Sequence, residues 1–316
     1  MRVLITGASG FVGANVTRGF LTNEHEVHVF HRPGSDLWRL ANCMEKLQAY
    51  AVDLRDAATV LSTVRKVKPE LVIHLAAYGA YSFQQAVDQI LTTNILGTAS
   101  LINACLDLPI YRFIHTGTSS EYGFKRNASA ETDWLEPNSF YAVSKASATL
   151  YAQYVARARG FPITTLRLFS VYGPYEDGRR FVPTLLRAAM AGHLPPLTAP
   201  NTARDFVYVE DVVEAYVRVA TVAHPPGEIF NVGGGMQTTL LEAVEIARQI
   251  TGITAEAHFG TMEDRIWDTT VWVANVVKIG EQIGWRARTS LHEGFVRTLA
   301  WLREHPDVGH PACPAQ

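Results

Sequence analysis

Apolar residues along the chain fall into short continuous runs, separated by stretches whose apolar positions recur at helical spacing. The first run, Arg2 to Thr6 (RVLIT), reads as a buried strand, and Val12, Val16, Phe20 and Leu21 behind it mark one face of a helix starting near Phe11. The same pair of patterns repeats. Strands are predicted at Glu26 to Phe30, Gln48 to Val52, Leu71 to Leu75 and Arg112 to His115. Helices are predicted at Ala57 to Val67, at Phe83 to Leu106, and from about Tyr141 to Arg159, where Gly160 ends the pattern. Strands alternating with helices in this way predict an α/β fold built on a doubly wound parallel sheet. Beyond Phe169 the alternation loosens, which predicts a smaller second α/β domain, with Thr238 or Thr239 capping one of its helices. The expected division is residues 1–168, plus roughly 205–230, in the large domain and 169–204 with 231–316 in the small one.

Composition fits this outline and removes several alternatives. The chain has 316 residues, 47% hydrophobic and 18% charged, enough for one large domain and a smaller one. A net charge of −2 gives no electrostatic footprint for nucleic acid or an anionic membrane. No apolar run approaches the ~20 residues of a membrane span, and the chain opens directly into a strand with no secretory pattern. Cys43, Cys105 and Cys313 are widely spaced without a CxxC, which suits structural thiols in a reducing cytoplasm and suggests no metal site.

Candidate chemistry gathers at the carboxyl ends of the predicted strands. Gly7-Ala8-Ser9-Gly10-Phe11-Val12-Gly13 lies between the first strand and its helix. Glycines at 7, 10 and 13 let the backbone approach a pyrophosphate, and the helix start supplies amide donors. The second strand ends in His31-Arg32-Pro33-Gly34-Ser35, with no carboxylate before Asp36. An acidic residue there would select NAD through the ribose hydroxyls, whereas Arg32, helped by His31, suits the 2′-phosphate of NADP, with NAD as the alternative. Asp53 and Leu54 end the third strand, where an adenine edge is bound, and Leu75, Ala76 and Ala77 end the fourth with little bulk. His74 and His115 read as packing residues. Thr118, Ser119 and Ser120 follow the next strand, where Thr118 would bind a carbonyl oxygen. Tyr141 and Lys145 stand one helical turn apart on one face. The ammonium is expected to lower the phenol pKa and to make Tyr141 an acid–base group at a carbonyl or hydroxyl carbon.

Taken together, these segments resemble the extended short-chain dehydrogenase/reductase family, in its NAD(P)-dependent sugar-nucleotide epimerase/dehydratase/reductase branch. The resemblance rests on TGASGFVG (6–13), DL (53–54), HLAA (74–77), NILGT (94–98), TSSEYG (118–123), YAVSK (141–145), RLFSVYGP (167–174), RDFVYVED (204–211) and FNVG (230–233). It implies a Rossmann sheet with a substrate-binding C-terminal domain. Thr118, Tyr141 and Lys145 take its catalytic positions, and Lys145 would also hold the nicotinamide ribose. Phe169 and Val171 join the cofactor set. Tyr78, Ser119, Ser120, Ser170, Val182, Arg204 and Arg265 join the sugar-nucleotide set, the two arginines on its diphosphate. The long helices at Phe83 to Leu106 and Tyr141 to Arg159 imply a four-helix homodimer interface.

Two departures from the family pattern narrow the activity. The 4,6-dehydratases carry a Glu, or Asp-Glu, directly after the catalytic Thr, where this chain has Ser119 and Ser120, and Glu121 comes one place late. Many epimerases carry Asn where this chain has Ser170. The expected activity is therefore an NADP(H)-dependent reductase, or the reverse dehydrogenase, of a nucleotide-linked 4-keto-(deoxy)hexose. A C4 epimerase is the alternative, and a sensor without chemistry is disfavoured by the intact Thr, Tyr and Lys.

Overall fold

In a computed structural model of the chain, whose described residues are 1–263 and 269–306, the buried runs pair side by side. β1 (Arg2–Thr6) enters α1 (Phe11–Thr22) through the glycine turn, and β2 (Glu26–His31) leads through a 3-10 segment, Trp38–Lys46, to β3 (Leu47–Ala51). Next come α2 (Ala57–Val67), β4 (Leu71–His74), α3 (Val87–Leu91), a π-helical turn at Thr92–Leu96, α4 (Gly97–Cys105), β5 (Arg112–Thr118), α5 (Phe140–Arg159) and β6 (Ile163–Leu168). The remainder holds β7 (Ser170–Tyr172), α6 (Phe181–Met190), β8 (Ala203–Arg204), β9 (Phe206–Tyr208), α7 (Val209–Thr221), β10 (Ile229–Val232), β11 (Thr238–Thr239), α8 (Leu240–Thr251), α9 (Val277–Ile283) and α10 (Leu291–Glu304).

Seven strands form one sheet in the order β10-β6-β5-β4-β1-β2-β3, every neighbour parallel. The order reverses between β1 and β4, and a crevice at that reversal, beyond the carboxyl ends of the strands, is where such sheets bind ligands. Strand periodicity sends alternate side chains to opposite layers. Val3 and Ile5 pack with α1 residues Val16 and Phe20 and α7 residues Val212 and Tyr216, whereas Leu4 packs with Val60 and Val64 of α2 and Leu101 of α4. A separate core joins Tyr172, Leu185, Leu186, Val244 and Phe295 in the smaller half.

Local signals explain the helix ends. Asp56 caps α2 by accepting from the amides of Ala58 and Thr59, and Ser139 caps α5 by accepting from Ala142. Thr239 forms a capping box with Glu242 at α8. The helix expected from Phe83 begins instead at Val87. Gln84 Oε1 accepts from the amides of Gly79 (2.9 Å) and Tyr81 (3.4 Å), which closes that segment into a turn. The same helix is interrupted by its π turn, a distortion frequent at functional sites. β5 runs on to Thr118, three residues past the expected end.

The expected division at about residue 230 falls inside β10, which pairs with β6 in the main sheet. Ile279, Ile283 and Trp285 also pack against the main-sheet core, and the Trp285 indole donates to the Asp211 carbonyl (2.9 Å). Cys43 and Cys105 are buried free thiols, and Cys313 lies outside the described residues. Among the described residues no helix is long and apolar enough to cross a membrane.

Candidate active site

The glycine turn is built for close backbone approach. Gly7 has φ +71°, and a Cβ there would lie 2.5 Å from the Ala76 amide nitrogen, while one on Gly13 would lie 2.2 Å from the Gly7 carbonyl oxygen. No side chain caps α1 at Gly10, so its first amides, at the positive end of the helix dipole, are left for a ligand. This cradle, which any larger side chain would fill, fits the pyrophosphate of a dinucleotide. Ser9, Phe11 and Val12 line the same turn, and Leu75, Ala76 and Ala77 follow β4 beside it. Leu54 is buried against Gly97, where a Cβ would come within 2.9 Å of its side chain.

The ribose end is cationic. Arg32 is exposed beyond β2, next to a half-buried His31. Asp36, four residues on, accepts from the Trp38 amide (2.9 Å) at the start of the 3-10 segment. Asp53 is held by Arg55 in a forked contact (2.6 to 3.1 Å), and that hydrogen bonding keeps its carboxyl below the ordinary range despite partial burial.

The three residues read as catalytic come together. The buried face of α5 includes Ala142, Ala146, Ala148, Ala152 and Ala156, small residues that let the helix lie close on the sheet. This sets Tyr141 beside the end of β5, where the Thr118 side chain lies near enough to act on its hydroxyl. Lys145 is 3% exposed and, among the described residues, has no hydrogen-bond partner. Burial lowers its pKa from 10.5 to about 8, opposed by the charge of Glu121. The expected lowering of the Tyr141 pKa is not what the structure gives. Burial pushes that phenol up to about 12, the Glu121 charge adds to the rise, and the nearby Thr118 side chain and the Arg180 charge only oppose it. Desolvation of the phenolate outweighs the nearby cations.

Glu121 is turned away from the cleft. It is fully buried, with Oε1 accepting from the Thr118 amide (2.9 Å) and the Thr149 hydroxyl (3.1 Å) and Oε2 from Arg167 Nε (2.8 Å). Ser119 is buried too, and Ser120 places its hydroxyl 3.4 Å from that of Thr118. Asn94, inside the π turn, is a positioning residue to which the sequence reading gave no role. It accepts from the Tyr78 amide and donates to both the Tyr78 carbonyl and the Ser144 hydroxyl, each at 2.8 Å. Ser144 in turn donates to the Tyr141 carbonyl (2.8 Å), so the turn carrying Tyr78 is fixed to the catalytic helix. A polar residue at an otherwise buried helical position was the available signal.

On the sugar-nucleotide side the outcome is mixed. Ser170 is half-buried with its amide bonded to the Asp205 carbonyl (2.9 Å), Phe169 packs on Tyr122, and Val171 packs on the main-sheet core. Val182, read as a substrate residue, has its side chain 2% exposed in the smaller core, because the apolar face of α6 turns inward there. Arg204 donates to the Ala203 carbonyl (2.7 Å) and lies over the Trp272 ring. Arg265 lies outside the described residues. Asp205 accepts from the amides of Gly234, Gly235 and Ala274, so the triple-glycine loop is bound internally, and burial lifts this carboxyl to about 6 against those bonds. Arg180, at the start of α6, was missed. It is exposed, and its charge acts on the Tyr141 hydroxyl.

The family model described as "NAD dependent epimerase/dehydratase family" matches residues 3–233. The dTDP-glucose 4,6-dehydratase of Streptomyces antibioticus is 28% identical over all of this chain and 98% of its own length. Two solved structures superpose closely. The UDP-glucose 4-epimerase of Thermotoga maritima, solved with UDP-glucose, has a TM-score of 0.87 at 27% identity, covering 96% of this chain and 99% of its own. That of Thermus thermophilus, solved with NAD, has a TM-score of 0.85 at 28% identity, covering 96% and 100%.

The buried, unbonded Lys145 generates a stability prediction. Its folded pKa, about 8, lies below its unfolded value of 10.5, so at neutral pH the unfolded chain holds that proton more readily and burial costs stability. At one pKa unit per ~1.36 kcal/mol the cost is on the order of 3 kcal/mol at pH 7. It shrinks as pH rises from about 8 toward 10.5. Lys145→Met should therefore stabilise the cofactor-free protein at pH 7, lose most of that gain by pH 10, and be inactive. Urea midpoints at the two pH values check this, and a pH-independent gain would contradict it.

Proposed function

Because the chain belongs to the NAD dependent epimerase/dehydratase family, we propose that it is an NADP(H)-dependent reductase of a nucleotide-linked 4-keto-hexose, acting at sugar C4. The observation that carries this reading is the joint placement of Thr118, Tyr141 and Lys145 with the acidic residue of that segment, Glu121, sequestered by Arg167. Elimination of water needs a carboxyl group that reaches the proton it moves. Glu121 is committed to the protein, and Ser119 and Ser120 stand where the acid would be.

The glycine turn, Arg32 and Lys145 would hold the dinucleotide, which supplies the hydride when bound. Thr118 orients the sugar carbonyl oxygen by hydrogen bonding, and Tyr141 gives that oxygen its proton. A phenol with a pKa raised to about 12 stays protonated at neutral pH, which suits the donor role of a reductase. Lys145, with no partner for its ammonium among the described residues, is free to bind a ribose hydroxyl and to hold Tyr141 in register. Arg204 is assigned to the substrate diphosphate, as is Arg265.

A C4 epimerase is the second reading. It is favoured by the likeness, over 96% of the chain, to the two bacterial UDP-glucose 4-epimerase structures, and it would use the same triad. The fate of the hydride separates the two. A reductase should consume one NADPH per sugar and place deuterium from C4-labelled NADPH at C4 of the product. Assays with nucleotide-linked 4-keto-6-deoxyhexoses and, separately, UDP-hexoses, read by absorbance and NMR, test this. Exchange of C4 epimers without cofactor consumption would favour the epimerase.

Arg32 carries the cofactor preference, since the strand end before it offers the ribose no carboxylate. Arg32→Ala should weaken NADPH by roughly 10- to 150-fold, the worth of a charge-assisted contact of ~1.5–3 kcal/mol. NADH should be nearly unaffected. Equal losses in fluorescence titrations would remove the NADP assignment.

A homodimer through α5 and its neighbour follows from an exposed apolar stripe. Phe140, Val143, Leu150 and Tyr154 are 62%, 41%, 56% and 70% exposed along α5, and Leu96 is 59% exposed on the adjoining helix. Leu150→Arg should convert a dimer to a monomer in light scattering coupled to gel filtration. A monomeric unsubstituted protein would sink this assignment.

A further inference from the structure

Arg39 sits between the ribose end of the crevice and the sugar end, apart from the triad. Its Nη1 donates to the carbonyl of Ser9 in the glycine turn (3.3 Å), and its Nε to the carbonyl of Tyr175 (2.8 Å). One rigid, planar guanidinium thus bridges the pyrophosphate turn and the segment that follows β7.

Tyr175 is held from the cofactor side almost all round. Arg18 of α1 stacks on its ring at 3.9 Å, Trp38 lies 6.2 Å away, and Asn42 Nδ2 donates to its hydroxyl (3.4 Å). Asn15 donates to the Pro174 carbonyl (3.1 Å), and Arg18 itself donates to the Asn42 side chain (2.8 Å) and to the Arg39 carbonyl. Trp301 of α10 closes the stack at 4.9 Å. The backbone at Tyr175 has φ +71°, a region that non-glycine residues avoid, so surrounding contacts hold a conformation the residue would not choose.

Five residues further on, the segment reaches the chemistry. Asp177 is forked to Arg179 (2.9 and 2.7 Å), and the charges of both act on Arg39. Arg180 pairs loosely with Glu176 (3.7 Å) and acts on the Tyr141 hydroxyl.

We propose that Arg39 is a positioning residue that couples cofactor occupancy of the glycine turn to the placement of residues 175–180. This rests on the reading that the glycine turn holds a nicotinamide dinucleotide. Coupling of this kind is reciprocal, so a ligand that fixes one carbonyl partner of Arg39 also favours the arrangement of the other.

Hydrogen–deuterium exchange on the full chain, with and without saturating NADPH and, separately, NADH, tests it. In the unsubstituted protein, peptides covering 7–13 and 173–182 should both exchange more slowly with cofactor, the second by about tenfold. In Arg39→Met, at cofactor levels raised to saturation, protection of 7–13 should remain and that of 173–182 should disappear, with partial return in Arg39→Lys. Arg39→Gln, which keeps a polar side chain of similar length but loses the rigid two-armed guanidinium, should lose the same coupling and serves if Arg39→Met does not fold. Protection confined to 7–13 in the unsubstituted protein, or unchanged protection of 173–182 in the variants, would overturn the coupling and leave the cofactor assignment standing. Absence of protection at 7–13 with both cofactors would overturn the assignment and the coupling together.

Discussion

One buried carboxylate organises the end of the sheet where the proposed catalytic residues lie. Glu121 joins the last amide of β5, a hydroxyl on α5 and the guanidinium on β6, so three elements that carry or support the triad share one acceptor. A buried ion pair adds little net stability, because desolvation offsets the attraction, but removing one partner leaves the other charged and unpaired. The arrangement is therefore specific more than stabilising. It fixes where Thr118 ends up relative to Tyr141, and it withdraws the carboxylate from the cleft. Gly117 lets it approach, since a Cβ there would lie 2.6 Å from Glu121 Oε1.

Burial then decides the protonation states around it. Tyr141 and Lys145 both shift toward their neutral forms, the phenol upward and the amine downward, and both shifts have desolvation as their largest cause. A lysine one helical turn away does not create a phenolate when the lysine is itself buried and the phenol is partly desolvated. The site as it stands offers a protonated phenol and an ammonium with no acceptor among the described residues, a combination that suits proton donation to a developing alkoxide.

The two halves of the molecule meet across the crevice through more than the triad. Tyr175 and Pro174 are gripped by α1 and the 3-10 segment of the cofactor half, while α9 and Trp285 from late in the chain pack on the main-sheet core. Contacts so distributed tie the segment after β7 and the late helices to the larger half of the molecule. Asp205, between β8 and β9, plays a comparable part, since its carboxylate accepts from Gly234, Gly235 and Ala274 and so joins the glycine loop to residue 274.

Read alone, the sequence already contained the sheet and its helices, and it placed the residues proposed for the site at the ends of those strands and on one helix face. Buried parallel strands appear as continuous apolar runs, the glycine turn needs φ values and clearances that only glycine gives, and Tyr141 and Lys145 share a face by helical geometry. These are local facts, and local facts are legible in one dimension. What only the tertiary structure decided depends on distant partners. Glu121 is unavailable because Arg167, 46 residues on, binds it. Tyr141 is harder to ionise because packing of the helix on the sheet takes part of its ring out of water and Glu121 lies nearby. Val182 faces a core formed with α8 and α10. The turn before α3 forms because Gln84 accepts amides from residues 79 and 81. Arg39 and Arg180 acquire significance only through Ser9, Tyr175 and Tyr141. Spacing fixes which side chains share an element, whereas solvent exclusion and pairing between elements fix what those side chains do.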